Sequence, residues 1–306
     1  MPKSWDPAEA LNRRSKILAI LRFIRIEHTL FSLPFAYLGA LYASRLLSLR
    51  EILLIFLAVF GLRIAAMSYN NIADLDIDRL NPRTRYRPLI TGLVSLRIAW
   101  LIVLVGSALY FISAYFLNIY AFILSPILWV LAVSYPYAKR IHWLPHLHLG
   151  LVLGMVVLGG YVAVEGTIAT SLLQLIISVP WLYVLSISLW VAGFDTYYAI
   201  LDLEFDKEYN IGSLPSRFGE KNALLISRLF HLLTIILLVI SARIYNVSFI
   251  GYLSIIFFTI TILYQHVVLS TNTRQNIPRA FNTNLLSGPI LSLGLIVDKL
   301  FTIYYF

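Results

Sequence analysis

The stretch "EILLIFLAVFGLRIAAMSYNNIADLDIDRLNPRTRYRPL", residues 51–89, joins a long apolar run to a dense group of charges. Its first half is long enough to cross a bilayer as a helix, which takes about 20 apolar residues. Its second half, residues 70–89, carries three aspartates and four arginines, whereas only 13% of the whole chain is charged. The pattern predicts a transmembrane helix with a functional site at its end.

Similar apolar runs recur along the chain of 306 residues, which is 59% hydrophobic and has a mean hydropathy of +0.81. Their lengths predict an all-α membrane protein with nine transmembrane helices. The nine predicted spans are approximately residues 26–44, 52–70, 98–117, 119–137, 147–164, 172–200, 223–242, 249–269 and 285–297 or beyond. The chain contains no cysteine, which excludes disulfides, thiolate metal sites and thiol nucleophiles.

The distribution of lysine and arginine supports this topology. With the N-terminus inside, nineteen of the 24 lysines and arginines are assigned to the inner face, including Arg228 near the start of its span, and four to the outer face, while Arg63 is assigned to the interior of a span. Cytoplasmic loops carry such an excess, so the N-terminus is predicted to be cytoplasmic and the protein to be a multi-pass protein of the plasma membrane. The polar start "MPKSWDPAEALNRRSKILAI" lacks the features of a cleaved signal and is expected to be retained. The net charge of +9 thus reflects orientation in the bilayer, and no nucleic-acid partner is expected.

The acidic residues concentrate in two short windows. Eight of the 15 aspartates and glutamates lie in residues 74–78 and 195–208. By the predicted topology, both windows follow a span at its inner end, the second span and the sixth. We therefore expect them to face each other across one cavity.

Helical spacing places the acids of each window in a row. Four residues advance a helix by about 400°, so side chains at i and i+4 share one face. The first row comprises Asn70, Asp74 and Asp78, with Arg63 seven residues before Asn70 on the same face. The second row comprises Asp202 and Asp206, with Asp195 seven residues before Asp202.

Such rows of like charge need a counter-charge near a membrane. Carboxylates at i and i+4 repel each other, and an ionised group near the bilayer core costs about 2.5–3.5 kcal/mol. Oxygen ligands without histidine or cysteine favour Mg²⁺, which is held by one or two carboxylates together with phosphate oxygens. The alternative is a solvated rim with surface ion pairs, which is our interpretation of Asp76, Glu204 and Glu208.

These residues carry a resemblance to a known family. "NNIADLDID" is similar to the NDxxDxxxD motif of the UbiA-type intramembrane aromatic prenyltransferases, and "GFDTYYAILDLEFD" resembles their YDxxYAxxDxxxD motif. Further agreement covers most of the chain: "IRIEHTLFSLPFAYLGAL", "RIAAMSYN", "NPRTRYRPLITG", "SYPYAKR" and "LHLGLVLG". Two positions depart from the pattern: Asn71 replaces the first motif's aspartate, and His146 stands where glutamine is common. His146 is expected either to influence the choice of acceptor or to be a polar rim residue.

The resemblance implies a single transmembrane prenyltransferase domain over residues 1–306, with nine helices around a central lipid-accessible cavity. It implies transfer of a polyprenyl chain from a diphosphate donor to a small aromatic acceptor such as 4-hydroxybenzoate. The expected Mg²⁺ ligands are Asn70, Asp74, Asp78, Asp202 and Asp206. The expected catalytic residues are Asp74, Asp78, Asp195, Asp202 and Asp206. The oligomeric state is not predicted.

Several further side chains are expected to contact the substrates. Lys139, Arg140 and Arg217 are expected to neutralise the leaving diphosphate, since it gains charge as its bond to carbon breaks. Arg63 is expected to clamp either the diphosphate or an acceptor carboxylate. Arg22 serves either the site or the membrane interface. Tyr135 either stabilises the allylic cation or belongs to the interfacial tyrosines.

Three alternatives remain open. A secondary transporter would also place acids in a membrane, but near its midplane and on broken helices. Membrane phosphatidyl-alcohol transferases pair carboxylates for Mg²⁺ but carry a DGxxAR segment, which this chain lacks. Within the family that the sequence resembles, a glycerophosphate acceptor is the alternative to an aromatic acceptor.

Overall fold

The computed structural model of the protein describes residues 13–43 and 45–305, and the side chains of residues 18–25, 31–43 and 45–304 within them. This part of the chain is all-helical and contains no strand. Its helices are α1 (Arg13–Ile24), α2 (Ile26–Leu41), α3 (Leu49–Ala73), α4 (Leu75–Leu80), α5 (Leu96–Leu117), α6 (Ile119–Ile141), α7 (Pro145–Glu165), α8 (Leu172–Ser178), α9 (Trp181–Tyr198), α10 (Leu203–Glu208), α11 (Leu214–Ile244), α12 (Phe249–Thr271), α13 (Thr273–Asn282) and α14 (Asn284–Tyr305). A 3₁₀ turn, Ala199–Asp202, joins α9 to α10.

Polar caps fix where the long helices begin. Ser48 and Glu51 form a capping box at the start of α3, each side chain bonding the backbone N–H of the other. Asn118 caps α6 by accepting from the Ala121 N–H at 2.9 Å, and its amide donates to the Val162 carbonyl at 2.9 Å. Asn118 thus also fastens the start of α6 to the end of α7.

The helices pack as a closed ring. Among the described residues, α2, α3, α5, α6, α7, α9, α11, α12 and α14 each contact the next, and α14 returns to α2. Small residues allow the closest approaches, as where Gly160 of α7 lies directly against the Ala36 carbonyl of α2. Among the candidate membrane spans, the one that contains α9 has the largest buried share, and Asp195 of the second acidic row lies on this buried helix.

Eight helices in the described part of the chain are long and apolar enough to cross a membrane, and α2 includes a shorter apolar segment, Phe31–Leu41. Large apolar side chains such as Leu104, Ile127 and Val267 are exposed on the outside of the bundle, as expected for a surface that faces lipid. The protein is a multi-pass membrane protein. The ninth span and the cytoplasmic N-terminus stay predictions.

Two predicted spans have different limits in the structure. The single span predicted for residues 172–200 is wrong, because the chain breaks at Val179 and Pro180 between α8 and α9. Proline has no N–H to donate to the preceding turn, which ends α8 there. The span predicted to start near residue 223 belongs to α11, which comprises two helices that meet at Gly219, where the backbone is non-helical at φ 79°. The first is short, with Ser213 as its cap and Pro215 in its first turn, and the second continues to Ile244.

Candidate active site

A polar cavity of about 300 Å³ lies at one end of the helical ring. Residues of both acidic windows line it, as the two-window pattern predicts. The predicted site residues on its wall are Arg63, Asn70, Asp74, Asp78, Tyr135, Lys139, Asp195, Asp202 and Asp206. The cavity therefore brings together side chains that are up to 143 residues apart, from Arg63 to Asp206.

The first acidic row crosses a break between two helices. Helix α3 ends at Ala73, and Asp74 has non-helical backbone angles before α4 begins. The Asp74 N–H still donates to the Asn70 carbonyl at 3.0 Å, and the Asp78 N–H donates to the Asp74 carbonyl at 2.8 Å. These two bonds keep the row on one side of the chain, although the continuous helix expected from the spacing is wrong.

The second row is likewise built on an interrupted helix. Asp195 belongs to the last turn of α9, Asp202 ends the 3₁₀ turn, and Asp206 lies in the short α10. Asp206 is buried, and its carboxylate accepts a hydrogen bond from Ser213 Oγ at 2.8 Å. The row thus ends against the cap of α11.

Basic groups contact the carboxylates of both rows. Lys139 Nζ lies 2.7 Å from Asp74 Oδ2, and Arg87 forms an ion pair with Asp78. Burial raises the pKa of the Asp74 carboxyl above its ordinary value, while the charge of Lys139 acts in the opposite direction. The second oxygen, Asp74 Oδ1, is buried and has no hydrogen-bond partner among the described residues.

Asp202 is held from the loop that follows α4. Arg83 forms an ion pair with this carboxylate, and its Nε donates to Asp202 Oδ1 at 2.8 Å. Asn81 donates to the same oxygen at 3.0 Å. Because Arg83 and Asn81 follow the first window in the chain, these contacts join the two acidic windows directly.

The structure does not bring three of the predicted basic residues to this cavity. Arg140 pairs with the exposed Asp76 at 2.6 Å and donates to the Ala73 carbonyl at 2.7 Å. This pairing holds the pKa of Asp76 at about 2. Arg217 is exposed near the start of α11, and Arg22 is exposed on α1. Their expected contact with substrate finds no support in these positions.

The cavity wall also includes polar residues to which the sequence pattern gave no definite site role. Among them are Arg25, Asn81, Arg83, Arg87 and His146. Arg25 reaches the wall because the chain turns between α1 and α2 with a left-handed backbone, at φ 46°. Arg83 and Arg87 belong to the arginine-rich loop "NPRTRYRPLITG". This loop could have indicated them, because a loop that folds over acidic residues needs cations.

His146 connects two parts of the site and is buried. Its Nε2 accepts from the Leu214 N–H at 3.3 Å, and its Nδ1 lies 2.6 Å from Asp195 Oδ2. A ring nitrogen that accepts carries no proton, so Nδ1 carries it and donates to Asp195. The expectation of a polar rim residue is wrong, because only 3% of His146 is exposed.

The turn before α11 serves as a common support. The Gly212 N–H donates to the Lys139 carbonyl at 2.7 Å, while Ser213 binds Asp206 and Leu214 binds His146. Three residues in succession therefore hold α6, the second acidic row and α7. The positions of Lys139, Asp206 and Asp195 depend on this one turn.

An apolar cavity of about 90 Å³ continues from the polar one. Five residues line both: Arg63, Ala66, Ala132, Val152 and Leu153. Arg63 is the only charged residue among its described lining residues. The two cavities together offer an end lined by five aspartates and five basic side chains and an end lined by apolar side chains, an arrangement that suits an amphiphilic molecule.

Comparison with known proteins identifies the family. The model of the UbiA prenyltransferase family matches residues 32–287. The chain belongs to the UbiA prenyltransferase family. It is an intramembrane prenyltransferase, and the transporter and phosphatidyl-alcohol transferase alternatives are therefore discarded.

Similar proteins cover nearly the whole chain. The chain is 31% identical to a 4-hydroxybenzoate octaprenyltransferase of Yersinia enterocolitica, over 94% of this chain and 98% of that protein. It is 49% identical to a UbiA homologue from Aeropyrum pernix solved without ligand, with a TM-score of 0.86 over 89% of this chain and 98% of that one. A UbiA homologue from Archaeoglobus fulgidus, bound to GPP and Mg²⁺, has the same fold at 22% identity, with a TM-score of 0.67 over 94% of this chain and 99% of that one.

Proposed function

We propose that this UbiA-family prenyltransferase moves a polyprenyl chain from its diphosphate to an aromatic acceptor of the 4-hydroxybenzoate class, with Mg²⁺ bound between the two acidic rows. The observation that carries the proposal is the single cavity on which both rows lie, continued by an apolar cavity. Relatives about 30% identical and named 4-hydroxybenzoate octaprenyltransferase support the acceptor class.

The residues present fit Mg²⁺. Asp74 Oδ1 is a buried carboxylate oxygen without a hydrogen-bond partner among the described residues, and such an oxygen is stabilised by a cation. Within the described residues, no three histidine, aspartate or glutamate side chains already form a metal cluster. The oxygens of the bound diphosphate would therefore complete the coordination of the metal.

The proposed Mg²⁺ ligands are Asn70, Asp74 and Asp78 from the first row, with Asp202 and Asp206 from the second. When bound, Mg²⁺ neutralises charge on the diphosphate and so lowers the cost of breaking the carbon–oxygen bond. The homologue from Archaeoglobus fulgidus, bound to GPP and Mg²⁺, supports the use of this metal with a prenyl diphosphate.

The basic residues that now hold the aspartates take a second role in the proposal. Lys139, Arg83 and Arg87 are neighbours of the site where the diphosphate would bind. As the carboxylates turn to the metal, these cations become available to the diphosphate oxygens. They then stabilise the electron pair that the leaving diphosphate retains, while the prenyl carbon becomes an allylic cation.

The acceptor is proposed to bind deeper in the bundle, between Arg63 and Asp195. At a rise of 1.5 Å per residue, Arg63 lies about 16 Å along α3 from Asp74. Asp195 lies in the last turn of α9, and the 3₁₀ turn separates it from Asp202. Both helices run in the direction that places these residues on the same side of the acidic rows. This depth favours Arg63 as the partner of an acceptor carboxylate rather than of the diphosphate.

In this arrangement Asp195 accepts the hydrogen bond of the acceptor hydroxyl, which makes the ring more electron-rich. The ring carbon next to the hydroxyl then forms the new carbon–carbon bond with the allylic cation, and its proton passes to the released diphosphate, which restores the aromatic ring. The wall at this depth includes Phe31, Leu149 and Phe194. Apolar walls exclude water, which would otherwise capture the allylic cation.

The test is prenyl transfer by the purified protein in detergent, with geranylgeranyl diphosphate and Mg²⁺. We expect a prenylated product from 4-hydroxybenzoate and none from a glycerophosphate acceptor. Arg63→Gln should raise KM for 4-hydroxybenzoate about tenfold, which corresponds to about 1.4 kcal/mol, without changing KM for the donor. Phenol, which lacks the carboxylate, is the matched control, because Arg63→Gln should leave KM for phenol unchanged. A product from the glycerophosphate acceptor alone would overturn the aromatic assignment.

A further inference from the structure

Helix α7 contains four glycines, and three of them have an evident packing role. A Cβ atom at Gly150 or Gly154 would overlap with Ser188 of α9, and one at Gly160 would overlap with the Ala36 carbonyl of α2. These three glycines allow α7 to lie directly against its neighbours. Close helix contacts through small residues are typical of membrane bundles.

Gly159 has no such packing role. An added Cβ atom there would meet a single neighbouring heavy atom within 4 Å, the flexible Leu128 Cδ1 at 3.7 Å. Glycine is disfavoured relative to alanine in the interior of a helix. The packing of the helices therefore leaves room for a side chain at position 159. Packing does not explain why this residue is glycine.

Gly159 lies on the wall of the apolar cavity. Val152, which lines both cavities, precedes it by seven residues on the same helix, so Gly159 is about 10 Å beyond the junction of the two cavities. On the first row's helix, Ala66 at the junction is about 12 Å from Asp74. A prenyl tail whose diphosphate lies at the acidic rows therefore reaches Gly159 only after about 12 Å to the junction of the cavities and about 10 Å beyond it.

We propose that Gly159 is a specificity-determining residue for the length of the donor's hydrocarbon tail. Its missing side chain leaves the apolar cavity open beyond this level, so that a long polyprenyl tail passes and a short one ends before it. The inference depends on the proposed function, in that the donor diphosphate binds at the acidic rows. It adds the route of the tail and the residue that sets its length.

The test measures donor binding in the absence of any acceptor, by calorimetry with Mg²⁺ in lipid nanodiscs. The donors are geranyl, geranylgeranyl and octaprenyl diphosphates, and the variants are Gly159→Ala, Gly159→Leu and Gly159→Phe. We expect Gly159→Phe to weaken the binding of the longest donor that the wild type binds by at least tenfold. The affinity for geranyl diphosphate should change less than threefold. Gly159→Leu should fall between, and Gly159→Ala should match the wild type.

Each result has one meaning. Retained geranyl diphosphate binding shows that a variant is folded with an intact diphosphate site. Unchanged binding of every donor to Gly159→Phe would overturn the inference, since the tail then takes another route. Equal weakening of all donors would also overturn it, because the substitution then acts on the fold. A wild type that binds no donor would instead refute the proposed function, so the two failures are distinguishable.

Gly154→Ala is the matched control on the same helix. Gly154 lines neither cavity, and its added side chain would overlap with Ser188 of α9. We expect it to lower the thermal stability of the protein without selecting among the three donors. A donor-length preference in Gly154→Ala equal to that of Gly159→Phe would show that the effect is not specific to the cavity wall.

Discussion

Replacement of Lys139 by methionine tests whether the ion pair with Asp74 holds the cation site in its ligand-free state. The two charged atoms are 2.7 Å apart, and the side chains are 23% and 5% exposed. Removing one partner of a fully buried pair costs about 3–5 kcal/mol. Because water reaches Lys139, we expect Lys139→Met to lower the free energy of unfolding by about 2–3 kcal/mol.

The loss of stability in Lys139→Met should come from the uncompensated charge of the Asp74 carboxylate rather than from the missing lysine side chain. Adding Asp74→Asn to Lys139→Met removes that charge and should restore about 2 kcal/mol, as a coupling energy between contacting residues. Mg²⁺ alone should also stabilise Lys139→Met more than the wild type, since a cation replaces the ammonium group. At ten times its Kd, a ligand contributes about 1.4 kcal/mol.

The assay is equilibrium unfolding in mixed detergent micelles, followed by tryptophan fluorescence with and without Mg²⁺. The wild type, both single variants and the double variant form one cycle. A double variant no more stable than Lys139→Met would refute the assignment of the cost to Asp74. Equal stabilisation of the wild type and Lys139→Met by Mg²⁺ would refute competition between the lysine and the metal.

Three further predictions concern other polar contacts of the site. Glutamine can reproduce both hydrogen bonds of His146, so His146→Gln should change KM for the acceptor less than threefold, whereas His146→Leu should raise it about tenfold by releasing Asp195. Steady-state kinetics at saturating donor measure this, and equal effects of the two variants would contradict it. Arg83→Gln should weaken donor binding about tenfold, because a hydrogen bond to a charged group contributes about 1.5–3 kcal/mol. Calorimetry with geranyl diphosphate measures the change, and an unaltered Kd would show that Arg83 stays away from the diphosphate. Arg140→Gln should alter kcat/KM less than twofold, because its ion pair is exposed. Steady-state kinetics with both substrates measure this, and a loss of tenfold or more in kcat/KM would return Arg140 to the site.

Much of the fold could be predicted because lipid leaves few options. A chain in a bilayer must satisfy its backbone within each segment, so long apolar runs become helices. Run length does not show where a helix breaks, and residues 172–200 therefore appeared as one span although Pro180 divides them. The short helix between Ser213 and Gly219 was likewise not visible in hydropathy, because a capping serine and a non-helical glycine set its limits.

The acidic rows could be predicted because they lie on helical segments, where spacing fixes direction. Their cationic partners could not be predicted in the same way. Lys139 and Arg140 are adjacent, yet about 100° of helical rotation sends one to Asp74 and the other to Asp76. Arg83 lies in a loop, where tertiary contacts and not periodicity decide what a side chain reaches.

The central claim is that the two acidic rows bind one prenyl diphosphate together through Mg²⁺. The most direct measurement is calorimetric binding of geranyl diphosphate to the wild type, Asp74→Asn and Asp202→Asn, with Mg²⁺ and with EDTA, after thermal unfolding has shown that each variant is folded. The account predicts binding to the wild type only with Mg²⁺, and a loss of at least tenfold in each variant, because each row supplies ligands to the same complex. Binding that persists in EDTA, or that depends on one aspartate and not on the other, would contradict it.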